Sequence, residues 1–367
     1  MRTPCWWIVV VAAVLPAAGW GQGPLRNGGR PLAVEELSEP PVPADPLELV
    51  EGNAEAVRTP EQRQAAIDLL NTARASSNVR GQPYYLVTTF QSFGSSASDG
   101  AWSLDDMSPS GTLYRWSAQG PGYSAIHLYS NRLLYTDRPS TVIPLRLAQV
   151  REAIFFTYPA VGPYASLRTA SASLDGVQLN CILAAPGLAA RHFSGGRNWE
   201  ESEYCVDPNS RLLVTYSPAP GVYVRYDYAN AIPFHGKTIP GGFTISEFGR
   251  PILEAKTQSV SDPGNVSPAL FETSGLTPVG VGSIMTPAAH VRRGQRGASG
   301  ALHMVELRGI STPDGQTSEI EVLASTNAAL NEAALEWANR WQQPANQPQN
   351  GSTPQSHEIF FLYEAVQ

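Results

Sequence analysis

The residues able to do chemistry in this chain are scattered. Six histidines occur, His127, His192, His235, His290, His303 and His357, and none has a second ligand at the helical or hairpin spacing that a metal pair requires. Glu200, Glu201, Glu203 and Asp207 form a carboxylate group that paired acid–base hydrolysis would use. Its setting beside Cys205 and ahead of an Asp-Pro-Asn turn predicts a solvated strand face carrying Glu201 and Glu203. His235 and Lys237 offer a base with a cation, but between two prolines in PFHGKTIP they read as a surface turn. The GxSxG elbow, HExxH, the Walker loop, GxGxxG and zinc-finger spacings are all missing. The sequence therefore names no catalytic residue, no cofactor-binding residue and no metal ligand.

The remaining reactive residues are cysteines. Cys5 lies in the expected signal peptide, which leaves Cys181 and Cys205. An even pair in an exported chain predicts a disulfide, worth ~3 kcal/mol by loop-closure entropy. Export itself is read from Arg2 followed by the run Trp6 to Ala18 and the small residues Ala17, Ala18 and Gly19. That run is well short of the ~20 residues of a spanning helix, so residues 1–21 are expected to be a cleaved signal peptide. No cysteine stands at the expected cleavage point. The chain is thus expected in the periplasm, with an uncleaved anchor facing the periplasm as the alternative. A net charge of −7 provides no basic field for nucleic acid.

These residues must be positioned by short strands. Among 367 residues there are 32 glycines and 31 prolines, with only 16% charged residues, which suits strands and turns over long helices. Residues 22–59, with SEPPVPADPLELVEG, read as an extended or disordered Pro-rich linker. From Pro60 a helix is expected, capped by Thr59, with Ala66, Ile67, Leu70 and Ala73 as its buried stripe. After Gly81 the apolar period becomes two, and strands follow with one interrupting helix, LRLAQVREAIFF. Tyr84, Phe90, Tyr114, Trp116, Tyr129, Tyr135, Phe155, Phe156, Tyr216, Tyr223, Tyr226 and Tyr228 populate this region, most as core and some lining an apolar pocket. Residues 263–299 read as a link, with Arg292, Arg293 and Arg296 in a solvated loop.

The last stretch, 300–367, is the most regular. Val305 and Leu307 share one strand face, and Pro313, Asp314 and Gly315 make the turn. On the return strand Ile320, Val322 and Ala324 face one way, Glu319 and Glu321 the other. Leu330, Ala334, Trp337 and Trp341 then form one helical stripe before Pro344, and EIFFLY makes a final strand. The order PDGQ, EVLAST, LNEAALEWANRWQQPA resembles the carboxy-terminal domain of TonB-type proteins. It departs after Trp341, where Gln342 and Gln343 replace the family's basic and aromatic residues. Over residues 60–262, the strand series around NWEESEYCVDPNSRLLVTY and VRYDYANAIPFHGKTIPGGFTISEFGRP resembles LolA-like half-barrel lipoprotein carriers.

The expected fold is α+β: an N-terminal helix plus a curved antiparallel sheet forming a half-barrel, followed by a small ββαβ TonB-like domain. The LolA resemblance implies a lipid or lipoprotein acyl chain as ligand, and the TonB resemblance implies a protein partner. That partner would add a strand beside Ile359, Phe361 and Tyr363. The function so expected is an exported, non-enzymatic cell-envelope binding protein. The alternatives are an anchored TonB-type energy transducer and an envelope hydrolase with an unrecognised site.

Overall fold

A computed structural model describes residues 39–50, 54–94, 97–138, 140–155, 165–186, 196–282, 289–293, 300–342, 352–353 and 356–366. The expected signal peptide, residues 1–21, lies outside the described residues, as do Phe156, His192 and Arg296. Among the described residues, no helix is long and apolar enough to cross a membrane.

The first elements are β1 (Glu55–Ala56) and α1 (Pro60–Ser77). Five strands follow: β2 (Tyr84–Ser92), β3 (Ala101–Ser110), β4 (Leu113–Gly120), β5 (Tyr123–Ser130) and β6 (Leu133–Thr136). Helix α2 (Leu145–Phe155) interrupts them. The second series is β7 (Ser166–Leu174), β8 (Val177–Ala185), β9 (Ser202–Val206), β10 (Leu213–Ala219) and β11 (Val222–Asp227). A small hairpin, β12 (Ile232–Phe234) and β13 (Lys237–Ile239), precedes β14 (Gly242–Glu247) and β15 (Arg250–Ser261). The chain closes with β16 (Thr277–Gly282), β17 (Ala289–Arg293), β18 (Leu302–Ser311), β19 (Thr317–Ser325), α3 (Asn331–Arg340), β20 (Ser352–Thr353) and β21 (His357–Val366).

Fifteen strands form one open, predominantly antiparallel sheet, in the order β1-β7-β8-β9-β10-β11-β14-β15-β2-β3-β4-β5-β6-β16-β20. Strand β15 joins the two series by pairing with β2, from Leu253 opposite Ser92 to Ser261 opposite Tyr85. Alternate residues of these strands, among them Leu86, Leu104, Trp116, Tyr204 and Val224, share one apolar core with α1 and α2. This is the α+β arrangement of a large curved sheet with helices on its inner face. Thr59 caps α1 through a capping box with Gln62, as its position ahead of Pro60 predicts. Ala66, Leu70 and Ala73 are buried, and Ile67 is half-buried against the same core.

Helix α2 has no solvent face. Of its residues only Ile154 is less than fully buried, so Arg146, Gln149, Arg151 and Glu152 all lie inside the protein. Arg151 stacks on Trp116 at 4.2 Å and donates to the Tyr114 hydroxyl at 2.9 Å. Tyr114 and Tyr84 donate in turn to Asp106, at 2.6 and 2.7 Å. Burial raises the Asp106 carboxyl above its usual range, against the pull of Arg151 and both hydroxyls.

The Pro-rich segment differs from a free linker over its described part. Residues 39–50 are irregular but tied down: Trp199 Nε1 donates to the Pro40 carbonyl at 2.8 Å, and Val50 is buried with Leu179, Leu183 and the two cysteines. Burying Val50 and holding the Pro40 carbonyl offset the entropy that composition alone would leave in the chain. Residues 263–299 supply two sheet strands: β16 pairs with β6, and β17 pairs in parallel with β21.

The second sheet runs β17-β21-β18-β19. Val305, Leu307, Ile359, Phe361 and Tyr363 pack under α3 with Leu330, Ala334 and Ala338. Trp337 and Trp341 meet Phe361 edge-on at 5.5 and 5.4 Å. Ala324, expected beside Val322, lies on the opposite face with Trp199, Met304 and Leu362. A bulge between Glu306 and Leu307 leaves Leu323 without an opposite number and reverses the alternation there. Both edges of β21 are occupied, by β17 and by β18, so a partner strand finds no open edge beside Ile359, Phe361 and Tyr363. Their side chains are buried under α3. Among the described residues, β19 has a strand on one side only.

Candidate functional site: an apolar groove along the first helix

Helix α1 crosses the inner face of the large sheet with open space along its N-terminal half. A groove of about 790 Å³ runs between the helix and the β1–β7–β8 arm. Its walls are apolar where Ala65, Ala66 and Leu69 of the helix face Val57, Ala170 and Ile182, with Gln62, Ser171 and Asn180 as polar points. Among the described residues, its only charged lining residue is Glu55. The volume falls in the range of small-molecule sites. The helix is fixed near both of its own ends: Arg63 donates to the Ala165 carbonyl at 2.9 Å, and beyond the C-terminus Lys237 donates to the Arg80 carbonyl at 2.9 Å and to that of Asn78.

Beyond the far end of α1 lies a small cavity of about 30 Å³, room for a few waters at most. Leu86, Ile154, Tyr226, Tyr228, Ile239 and Phe243 line it. The Tyr226 and Tyr228 hydroxyls are bonded to the Ala153 and Leu213 carbonyls, at 2.7 and 2.9 Å, so their rings present carbon to the space. Helix α2 packs into the concavity, and its Ala153 and Ile154 form part of the wall of this cavity. The aromatic residues expected to line a pocket thus divide. Tyr226 and Tyr228 do so, whereas Tyr84, Phe90, Tyr114, Trp116, Phe155 and Tyr216 are core.

The other singled-out residues lie apart from the groove, with one exception. Cys181 and Cys205 stand directly opposite on β8 and β9 and form the expected disulfide, and Cys181 also borders the groove. Glu201 and Glu203 are buried, against the expectation of a solvated face. Glu201 pairs with Arg168 at 2.7 Å, and Glu203 faces Arg197 at 3.9 Å. The Pro-rich segment covers this side of the arm, which sequence alternation could not show. Burial raises the Glu203 carboxyl to about 7 despite Arg197. His235 is exposed and bonds Asp262 at 2.6 Å, as a surface turn allows. His127 is buried, stacked on Trp116 at 4.2 Å, and burial lowers it to about 3. Arg292 is not a solvated loop residue: it sits on β17 among Glu39, Glu200 and Glu364. Among the described residues, the one cluster of metal-ligand types is Cys181, Glu203 and Cys205, whose sulfurs are bonded to each other.

A second polar cluster escaped the sequence altogether. Arg308, fully buried, pairs with Glu247 and Glu321 and lies 3.7 Å from Glu358. Gln149 of α2 donates to Glu358 at 3.1 Å, and Glu319 accepts from the Leu145 backbone N–H at 3.3 Å, at the start of α2. The available signal was in LRLAQVREAIF, whose polar residues fall around the whole helix and leave no single wet stripe.

No protein-family model matches this sequence. No curated protein matches it either. Among solved structures it is similar to a LolA superfamily protein from Nitrosomonas europaea, at 12% identity and a TM-score of 0.38, over 56% of this chain and 97% of that one. A domain from Vibrio parahaemolyticus named for outer membrane lipoprotein sorting matches at 9% identity and a TM-score of 0.34, over 56% and 96%. LprF from Mycobacterium bovis matches at 11% identity and a TM-score of 0.24, over 59% and 98%. Likeness at these scores assigns no family.

Proposed function

We propose that this chain is an exported, non-enzymatic envelope protein that holds a lipid or lipoprotein acyl chain in the groove along α1. The observation that carries this reading is the pairing of a groove of ligand size, with apolar residues on both walls among polar ones, with a small, mainly apolar cavity at the far end of the same helix. An acyl chain gains ~0.8 kcal/mol per CH₂ removed from water, so even partial burial along the helix gives useful affinity. In this reading residues 1–21 are removed on export, 22–59 lead to a half-barrel of 60–262, and 263–299 connect it to a TonB-like interaction unit of 300–367.

The test is titration of lipid-stripped protein with an environment-sensitive fluorescent fatty acid. Saturable binding is expected, and Ala65→Trp, at an exposed position in the groove wall, is expected to weaken it at least tenfold. Binding that Ala65→Trp leaves unchanged would place the ligand elsewhere. For the C-terminal unit, the edge strands among the described residues are β17 and β19, and of the two β19 is the longer, so a partner that adds a strand would pair there. Backbone amide exchange along β19, with and without partner, is the measurement.

A further inference from the structure

A second cleft, of about 470 Å³, opens between the β14–β15 hairpin and β19, near the start of α2. Arg146, Arg250, Glu247 and Glu321 supply its charges, and Phe248 and Leu323 part of its apolar wall. Arg146 is 2% exposed. Its Nε bonds Asp99 at 2.9 Å, and its Nη1 donates to Gln149 at 3.0 Å and lies 3.6 Å from Glu247, while among the described residues no hydrogen bond reaches Nη2. Gly94 leaves that nitrogen uncovered: a Cβ at this glycine would stand 3.2 Å from Nη2. Nη2 is not among the fully enclosed donors that lack a partner, so it reaches the water of the cleft, which an incoming acceptor would displace.

The surrounding charges select the acceptor. Glu247 and Glu321 are both paired with Arg308, which crosses behind the cleft, and Glu247 and Asp99 also face Arg146. They would repel a doubly charged phosphate, yet their outer lone pairs can still accept from N–H groups. A single carboxylate flanked by peptide N–H groups fits both requirements. We propose that this cleft binds the C-terminal carboxylate of a peptide whose last side chain is apolar. The carboxylate meets Arg146 Nη2 and the exposed Arg250, the neighbouring N–H groups turn toward Glu247 and Glu321, and the side chain lies against Phe248 and Leu323. This site is independent of the groove along α1.

The test uses the full chain and a fluorescein-labelled pentapeptide ending in leucine, read by anisotropy. The free acid is expected to bind at least tenfold more tightly than the C-terminal amide. R146Q is expected to abolish that preference. Because Arg146 is buried and R146Q could unfold the chain, R250E at an exposed position gives a second reading, with an expected loss of at least fivefold for the acid and little change for the amide. N-acetyl-leucine as competitor separates the sources: competition as strong as the peptide's shows a small apolar acid to suffice, and weak competition shows that the chain beyond the last residue contributes. Equal affinity for acid and amide, or an acid preference that R250E leaves intact in folded protein, would overturn the proposal.

Discussion

The two faces of the C-terminal sheet are cut from the same strands and could hardly differ more. Under α3 lie Val305, Leu307, Ile359, Phe361 and Tyr363, an apolar layer with two tryptophans over it. The alternate residues, Glu306, Arg308, Glu358 and Glu364 with Met304, Phe360 and Leu362 between them, are equally buried, toward the rest of the molecule. Ile310 and Phe360 join the core of the large sheet outright. One face is held by apolar burial, which tolerates reshaping. The other is held by an ion cluster, where the loss of Arg308 takes from its carboxylates the cation they share. A strand that alternates apolar with charged residues need not have a wet side.

That difference can be broken directly. Arg308→Ala removes the cation that Glu247, Glu321 and Glu358 share, and a loss of about 3 kcal/mol in unfolding free energy is expected from denaturant titration. Phe361→Ala on the helix face should cost about the same, by cavity formation. The faces separate in the repair: replacing Arg308 and Glu358 together with Met and Leu should recover part of the loss, because the most deeply buried of the three carboxylates is then removed with the cation. A cost below ~1 kcal/mol for Arg308→Ala would show that this face is hydrated. On the arm beside the groove, replacing Cys181 and Cys205 together with alanine should cost ~2–4 kcal/mol, measured the same way.

The buried acids also set a pH dependence. Burial raises Glu358 and Glu203 to about 7 and Glu306 to about 8, while unfolded glutamates titrate near ~4.3. Between those limits the folded chain binds more protons than the unfolded one, so the stability these groups contribute at low pH is lost as pH rises through 7 to 8. Burial lowers His127 to about 3 and His290 to about 4, which acts in the opposite direction but only up to the unfolded histidine value of ~6.5. A falling Tm between pH ~6.5 and ~8.5 is therefore expected, with a shallower fall in E306Q. A Tm that rises over that interval would contradict the burial of these carboxyls. The smallest expected effect is at the helix cap, where Thr59→Ala should cost about 1 kcal/mol and loosen α1 over the groove.

Local chemistry was legible in the sequence. Thr59, Pro60 and Gln62 mark the start of α1 because a helix terminus satisfies its donors with nearby side chains. Alternation marked most strands, and the exported pair of cysteines marked the disulfide. What stayed hidden depends on distant contacts. Ala324 changes face through a bulge that no pattern announces. Glu201 and Glu203 look solvated until the Pro-rich segment is laid over their side of the arm. Strand β21 looks terminal in the chain, yet β17, more than sixty residues earlier, takes its second edge. The groove is formed by β1, α1, β7 and β8, elements over a hundred residues apart, so neither its existence nor its volume can be read from any one stretch.

The central claim is that the groove along α1 carries a hydrophobic guest. Native mass spectrometry of the protein purified gently, without detergent, from the envelope fraction of exporting cells tests it most directly. The expected result is a non-covalent mass increment of lipid size that collisional activation strips away and that is reduced in Ala65→Trp. Bare polypeptide mass in both proteins, together with no uptake of the fluorescent fatty acid, would contradict it.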